Sequence, residues 1–235
     1  MGFCGKTGPD RNQTVEFRMS EFASRRMMMV DTQVRPSDVT KFPIIDALLS
    51  VPREVYVPAD RREAAYVGEN LILGGGRVLL EARTLAKLLD ALDIQPTEMV
   101  LDLGCGLGYS AAVIARLAET VVAVESDERV AADAQRLLSE EGVDNAIVVT
   151  APLTEGAPRH APYDVITIQG GVEVVPQALL DQLKDGGRIG ALFLDGALGT
   201  AKIGYKSADV VTWRPVFNAA APVLDGFYRP KGFVL

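Results

Sequence analysis

From Pro96 onward the chain alternates short continuous apolar runs with amphipathic stretches, and no other feature constrains the fold so tightly. EMVLDLG, TVVAVES, NAIVVTA, YDVITIQG and RIGALFLDG read as strands, whereas YSAAVIARLAE, DERVAADAQRLLSEEG and VPQALLDQLKDGG read as helices. Strands without polar alternation have both faces buried. Helices separating them then imply a doubly wound, mostly parallel α/β sheet covered on both sides. Two later apolar stretches, VVTWRPVFNA and GFYRPKGFVL, contain prolines that cannot donate to a ladder, so they are expected as antiparallel edge strands.

The first 95 residues follow other rules. Residues 1–18 are polar and aperiodic, as a flexible leader would be, and Met19 is an alternative start. Residues 19–95 are expected to form a helical cap. EFASRRMMMVDTQV has helical spacing and stops before Pro36, with Met27, Met28 and Met29 expected in the core. Next come a helix opened by Pro43 (PIIDALLS), an extended VPREVYVP and a short helical DRREAAYV. After a glycine triplet, EARTLAKLLDALDI reads as an amphipathic helix with Leu85, Leu88, Leu89 and Leu92 on one side. Residues 96–235 supply the α/β core, and the whole is expected to be one compact unit.

Composition excludes several classes of function. A net charge of −7 argues against a protein that holds nucleic acid by neutralising phosphates. No apolar run approaches the roughly 20 residues of a membrane span, and the start lacks the apolar core of a secretory signal, so a cytoplasmic protein is expected. Cys4 and Cys105 with a single His160 cannot make a disulfide framework or a zinc site, and no metal is expected. His160, between prolines in GAPRHAPYD, reads as a loop residue facing water.

Two glycine clusters carry the chemistry. LDLGCGLGYS lies where the first core strand gives way to a helix, the place at which an open α/β sheet binds its ligand. Gly104, Gly106 and Gly108 allow a sharp turn and a close backbone approach. A dinucleotide fingerprint would need glycine at position 109, where Tyr109 stands. Alternate glycines after Asp102, with Glu125 and then Ser126 closing the second strand, resemble the S-adenosyl-L-methionine site of class I methyltransferases. Asp102 and the loop, with Tyr109, suit the cationic amino-acid end, and Glu125 suits both ribose hydroxyls. Cys105 reads as a small loop residue.

From Met19 on, the chain resembles the protein-L-isoaspartate O-methyltransferase family. The resemblance rests on MVDTQVR, VPREVYVP, AAYVGENLILGGG, MVLDLGCGLGYSAAVIARLA, VVAVESD, APYDVI and VPQALLDQLKDGGRI in that order. It implies an S-adenosylmethionine-dependent enzyme that methylates the carboxylate of an isoaspartyl residue in a protein or peptide. It also implies that LILGGGRVLL is the acceptor loop, with Gly75, Gly76, Arg77, Leu80 and Glu81 as substrate-binding candidates. The family's G-x-G-Q-T-I-S-Q-P places Arg77 at the first glutamine, Val78 at the threonine, Leu80 at the active-site serine and Ala82 at the proline. Its G-D-G, whose aspartate meets the adenine, falls on Ala151, Pro152 and Leu153. Arg77 is read either as a fork for an anionic substrate or as a salt bridge to an acid such as Glu81. Glu81 is read as a first-turn acid of the following helix, or as a cofactor contact. A catalytically silent member that binds the cofactor or a protein partner is the alternative function.

Overall fold

The computed structural model describes residues 21–230, so the expectations for residues 1–18, for Cys4 and for the end of GFYRPKGFVL lie outside it. Helix α1, residues 21–29, runs into a π-helical turn, Val30–Val34, and a 3-10 turn, Arg35–Ser37. Met29 is buried, but Met27 and Met28 are 59% and 64% exposed. Successive helical residues point about 100° apart, so three in a row cannot share one face. The expected methionine cluster in the core is thereby corrected.

Pro43 sits in the first turn of α2, Phe42–Ser50, as expected. VPREVYVP is not extended throughout: Arg53–Tyr56 form a 3-10 turn, and a second covers Ala59–Ala64. The cause is Arg53, which is buried and donates from Nε to the Ala65 carbonyl and from Nη2 to the Leu80 carbonyl, both at 2.6 Å. The segment is wound around that anchor. LILGGGRVL is a hairpin, with β1, Leu71–Gly74, antiparallel to β2, Arg77–Leu79. Helix α3, Ala82–Leu92, buries Leu85, Leu88, Leu89 and Leu92 as its spacing predicts.

The core strands are β3 (Met99–Leu103), β4 (Thr120–Glu125), β5 (Ala146–Thr150), β6 (Tyr163–Val172), β7 (Leu183–Asp195), β8 (Leu198–Ser207) and β9 (Val210–Asn218). They form one sheet in the order β5-β4-β3-β6-β7-β8-β9, parallel from β5 to β7 and antiparallel thereafter. Helices α4, Tyr109–Ala115, and α5, Glu128–Glu140, follow β3 and β4. Chain order reverses between β3 and β6, which opens a crevice at the carboxyl ends of the strands.

Period-2 alternation divides the core. Val100, Val121, Ala123 and Val165 pack beneath α3, α4 and the cap, while Leu101, Leu103, Val122, Ile166 and Ile168 face Leu179, Leu224 and Phe227. The second face holds less helix than expected. VPQALLDQLKDGG yields only α6, Gln177–Leu180, because Leu183 onward pairs with β6 and Lys184 bonds Asp164 at 2.8 Å. Sheet pairing wins over the helical pattern. The C-terminal expectation also needs correction: VVTWRPVFN is the edge strand β9, but its inner partner is β8, from a segment with no strong apolar run, and the described part of GFYRPKGFVL is irregular.

Candidate functional site

The carboxyl end of β3 enters the glycine loop, where Gly104, Gly106 and Gly108 have φ of +76°, +56° and +99°. Side chains rarely adopt such angles, so the alternation of glycines is a backbone requirement. A Cβ on Gly104 would meet Leu153, Leu224 and, at 3.9 Å, Arg77 Nε. Gly108 then caps α4, whose first residue, Tyr109, is buried.

Asp102 is fully buried just before the loop, accepting from Ser110 Oγ at 2.6 Å and from Gln169 Nε2 at 2.7 Å. Burial pushes its carboxyl up to about 6, against the pull of these two hydrogen bonds. Cys105 is buried too, and burial holds its thiol well above the ordinary range, which suits a packing role. Gln169 belongs to neither glycine cluster and carries no motif of its own. Its signal is a polar residue directly after the apolar run VITI, within β6, which runs parallel to the strand bearing Asp102.

Glu125 ends β4 and is almost wholly buried. Its carboxylate accepts from the backbone N–H groups of Gly106 at 3.1 Å, Ser126 at 2.7 Å and Asp127 at 3.3 Å. Arg77 forks onto the same carboxylate, with Nε 2.9 Å from Oε2 and Nη2 2.8 Å from Oε1, and Nη2 also reaches Ser126 Oγ at 2.7 Å. The partner of Arg77 is therefore the acid assigned to ribose, not Glu81. Glu81 instead precedes α3 as its N-cap, accepts from Thr84 Oγ1 at 2.6 Å and lies 3.7 Å from Arg83.

Above the glycine loop and Glu125 lies a cavity of about 610 Å³, within the range of small-molecule sites. Its walls include Pro58, Leu73, Gly74, Gly75, Arg77, Gly106, Leu107, Glu125, Ser126, Asp127, Val130 and Asp133. The two glycine clusters thus face one space. Gly74, Gly75 and Gly76 have φ of +95°, +56° and +74°, as a tight turn of glycines requires. Asp102 contributes no wall to this cavity and lies behind the loop.

Leu80 is 2% exposed and lines a small void with Tyr56, Cys105, Tyr109, Ser110 and Gln169. Arg53 holds its carbonyl and stacks 4.8 Å above the Tyr109 ring. Leu80 is therefore a packed side chain. His160 is exposed, in keeping with a loop residue. Among the described residues no group of three or more His, Cys, Asp or Glu could hold a metal ion, and no helix is long and apolar enough to cross a membrane.

A family model described as protein-L-isoaspartate(D-aspartate) O-methyltransferase (PCMT) matches residues 25–191, which leaves β8 and β9 outside it. The chain is 36% identical over 169 residues to a protein-L-isoaspartate O-methyltransferase of Roseiflexus castenholzii, covering 72% of this chain and 77% of that one. Against protein-L-isoaspartate O-methyltransferase 2 of Pelobacter propionicus it is 36% identical over 165 residues, 70% of this chain and 73% of the relative. Among solved structures, a protein-L-isoaspartate O-methyltransferase superposes with a TM-score of 0.73 at 24% identity, over 87% of this chain and 66% of the other. A Plasmodium falciparum chain described as a beta-aspartate methyltransferase (PCMT) in complex with S-adenosyl-L-homocysteine gives 0.72 at 15% identity, over 86% and 97%. These last two show the fold. By the span of the family match and the identity to its members, the chain belongs to the protein-L-isoaspartate(D-aspartate) O-methyltransferase family.

Proposed function

We propose that the protein transfers a methyl group from S-adenosylmethionine to the carboxylate of an isoaspartyl residue in a protein or peptide. The observation that carries this reading is Glu125, a buried carboxylate fixed by three backbone N–H groups at the tip of β4 and opening on a cavity beside the glycine loop. Such an acceptor suits a vicinal diol. The residues present fit the cofactor, provided Arg77 yields its fork on Glu125. A site of action in the cytoplasm accords with a chain that has only two cysteines.

S-adenosylmethionine supplies an electrophilic methyl on a sulfonium. Glu125 receives the ribose hydroxyls, and Asp102, behind the loop, supplies negative potential for the cationic amino-acid end. Gly104, Gly106 and Gly108 let the backbone close on the ligand, while Pro58, Leu73, Leu107 and Val130 exclude water from it. The acceptor carboxylate is already an anion at neutral pH, so no general base is needed and an exposed His160 is no obstacle. Rate enhancement then comes from alignment, which can supply up to about 7–11 kcal/mol. Calorimetry with S-adenosylmethionine tests the reading. Saturable heat at micromolar concentration is expected, and none at millimolar concentration would overturn it.

Buried Leu80 favours a second reading, a member that binds the cofactor without methylating isoaspartyl peptides. Methyl incorporation from labelled cofactor into an isoaspartyl peptide separates the two, with a Gly104 and Glu125 double variant as the blank. Leu80→Ser is expected to lower stability by about 2–5 kcal/mol, because it empties a packed isobutyl site. It is also expected to raise methyl incorporation. A folded variant that binds cofactor but shows no gain would mean that acceptor choice has moved elsewhere.

A further inference from the structure

Arg77 and Glu125 depend on each other unequally. If the guanidinium leaves, Glu125 keeps the N–H groups of Gly106, Ser126 and Asp127. If the carboxylate is taken, Arg77 keeps, among its hydrogen-bond partners in the described residues, only the Ser126 hydroxyl. The acid is fixed by backbone and the base is not.

A carboxylate offers about four lone-pair sites, and three backbone donors plus the fork already use them. A ribose diol can bond Glu125 only by replacing the fork. The displaced guanidinium would then be a nearly buried cation that has lost its paired carboxylate, which is strongly unfavourable. It must meet another anion: Asp127 and Asp133 stand in the same cavity wall, and the reaction itself brings in the one whose planar, two-oxygened shape the fork prefers, the acceptor's carboxylate. The room for this movement exists. Arg77 opens β2 directly after Gly74–Gly76, among the described residues no atom beyond their chain neighbours lies within 4 Å of where their side chains would project, and Arg77 shares the cavity with Gly74 and Gly75.

We propose that Arg77 is a positioning residue for the methyl-accepting carboxylate, parked on Glu125 until the ribose hydroxyls of the methyl donor release it. The inference rests on the reading of Glu125 as ribose acceptor given above. Its consequence is an order of binding, with donor first and acceptor second. An empty enzyme then does not hold the acceptor unproductively.

Two measurements test this. On the unaltered protein, an isoaspartyl hexapeptide is titrated with and without saturating S-adenosylhomocysteine. At least tenfold tighter peptide binding is expected in its presence, and equal affinity would overturn the proposal. Second, Arg77→Gln, with folding checked by thermal melting, is expected to bind S-adenosylhomocysteine at least tenfold more tightly, since nothing has to be displaced. Its KM for the peptide should rise at least tenfold, and Arg77→Lys should recover part of that loss. Cofactor affinity within twofold of the original, or an unchanged KM, would sink the idea. If both proteins bind S-adenosylhomocysteine equally, the methyl-donor reading stands and the parked arginine falls; if neither binds it, both fall.

Discussion

Asp102→Asn is expected to make the protein more stable at pH 7 and at the same time weaken its hold on S-adenosylmethionine. Burial raises the Asp102 carboxyl to about 6 from an ordinary 3.8, so ionising it costs more in the folded chain than in the unfolded one. The sign follows from linkage. Below pH 4 both states keep the proton and most of the penalty is gone; between about pH 4 and 6 the unfolded chain ionises while the folded one resists, and about 2–3 kcal/mol of stability is lost by the time both are ionised. An asparagine carries no such penalty, and its amide can still pair with Ser110 and Gln169. Urea denaturation should therefore show the variant ahead by about 2 kcal/mol at pH 7 and nearly level at pH 4. In calorimetry the original protein should lose affinity for the cofactor as pH falls through about 6, by up to tenfold per unit, whereas the variant should be weak and flat. A variant with undiminished affinity at pH 7 would show that the buried anion is not sensed by the ligand.

Glu125→Ala carries the largest expected cost to stability, about 3–5 kcal/mol, the usual penalty for stripping one partner from a buried ion pair. Arg77→Gln should cost clearly less, because Glu125 keeps three backbone donors. Removing both partners should recover much of the loss, so urea melts of the two single variants and the double variant should be strongly non-additive. A loss under about 1 kcal/mol for Glu125→Ala would mean that the guanidinium escapes to water easily. If Glu125 only received the ribose hydroxyls, Glu125→Ala would report on ribose binding directly. With Arg77 beside it, a drop in cofactor affinity also contains the fate of a stranded cation, and the double variant is the cleaner probe.

How far the fold could be read ahead of time varied with the range of the interactions that decide it. The parallel strands β3 to β6 and helices α3 and α5 were legible, since apolar runs and 3.6-residue spacing are local properties. The helix expected over VPQALLDQLKDGG was not, because pairing of Leu183 with Tyr163 is a tertiary choice that overrides a helical pattern. Strand β8 was missed for a related reason: GTAKIGYKS has few large apolar residues and is held by hydrogen bonds to β7 and β9 on both sides. At the site, Gly104, Gly106, Gly108 and Glu125 were visible as a motif. The partner of Arg77, 48 residues away, was not, since no spacing rule joins a hairpin to the tip of a strand it does not pair with.

Among the described residues, strand β9 ends the sheet with one flank unpaired. Such a flank is an open template on which another chain's backbone could continue the ladder, the usual start of aggregation. Pro215 gives β9 a residue with no backbone N–H to donate, and the register slips between Ala201 and Lys202 beside it, which breaks the regular repeat an incoming strand would need. A proline and a slipped register at an edge oppose strand-to-strand association, a matter between molecules rather than one of the reaction.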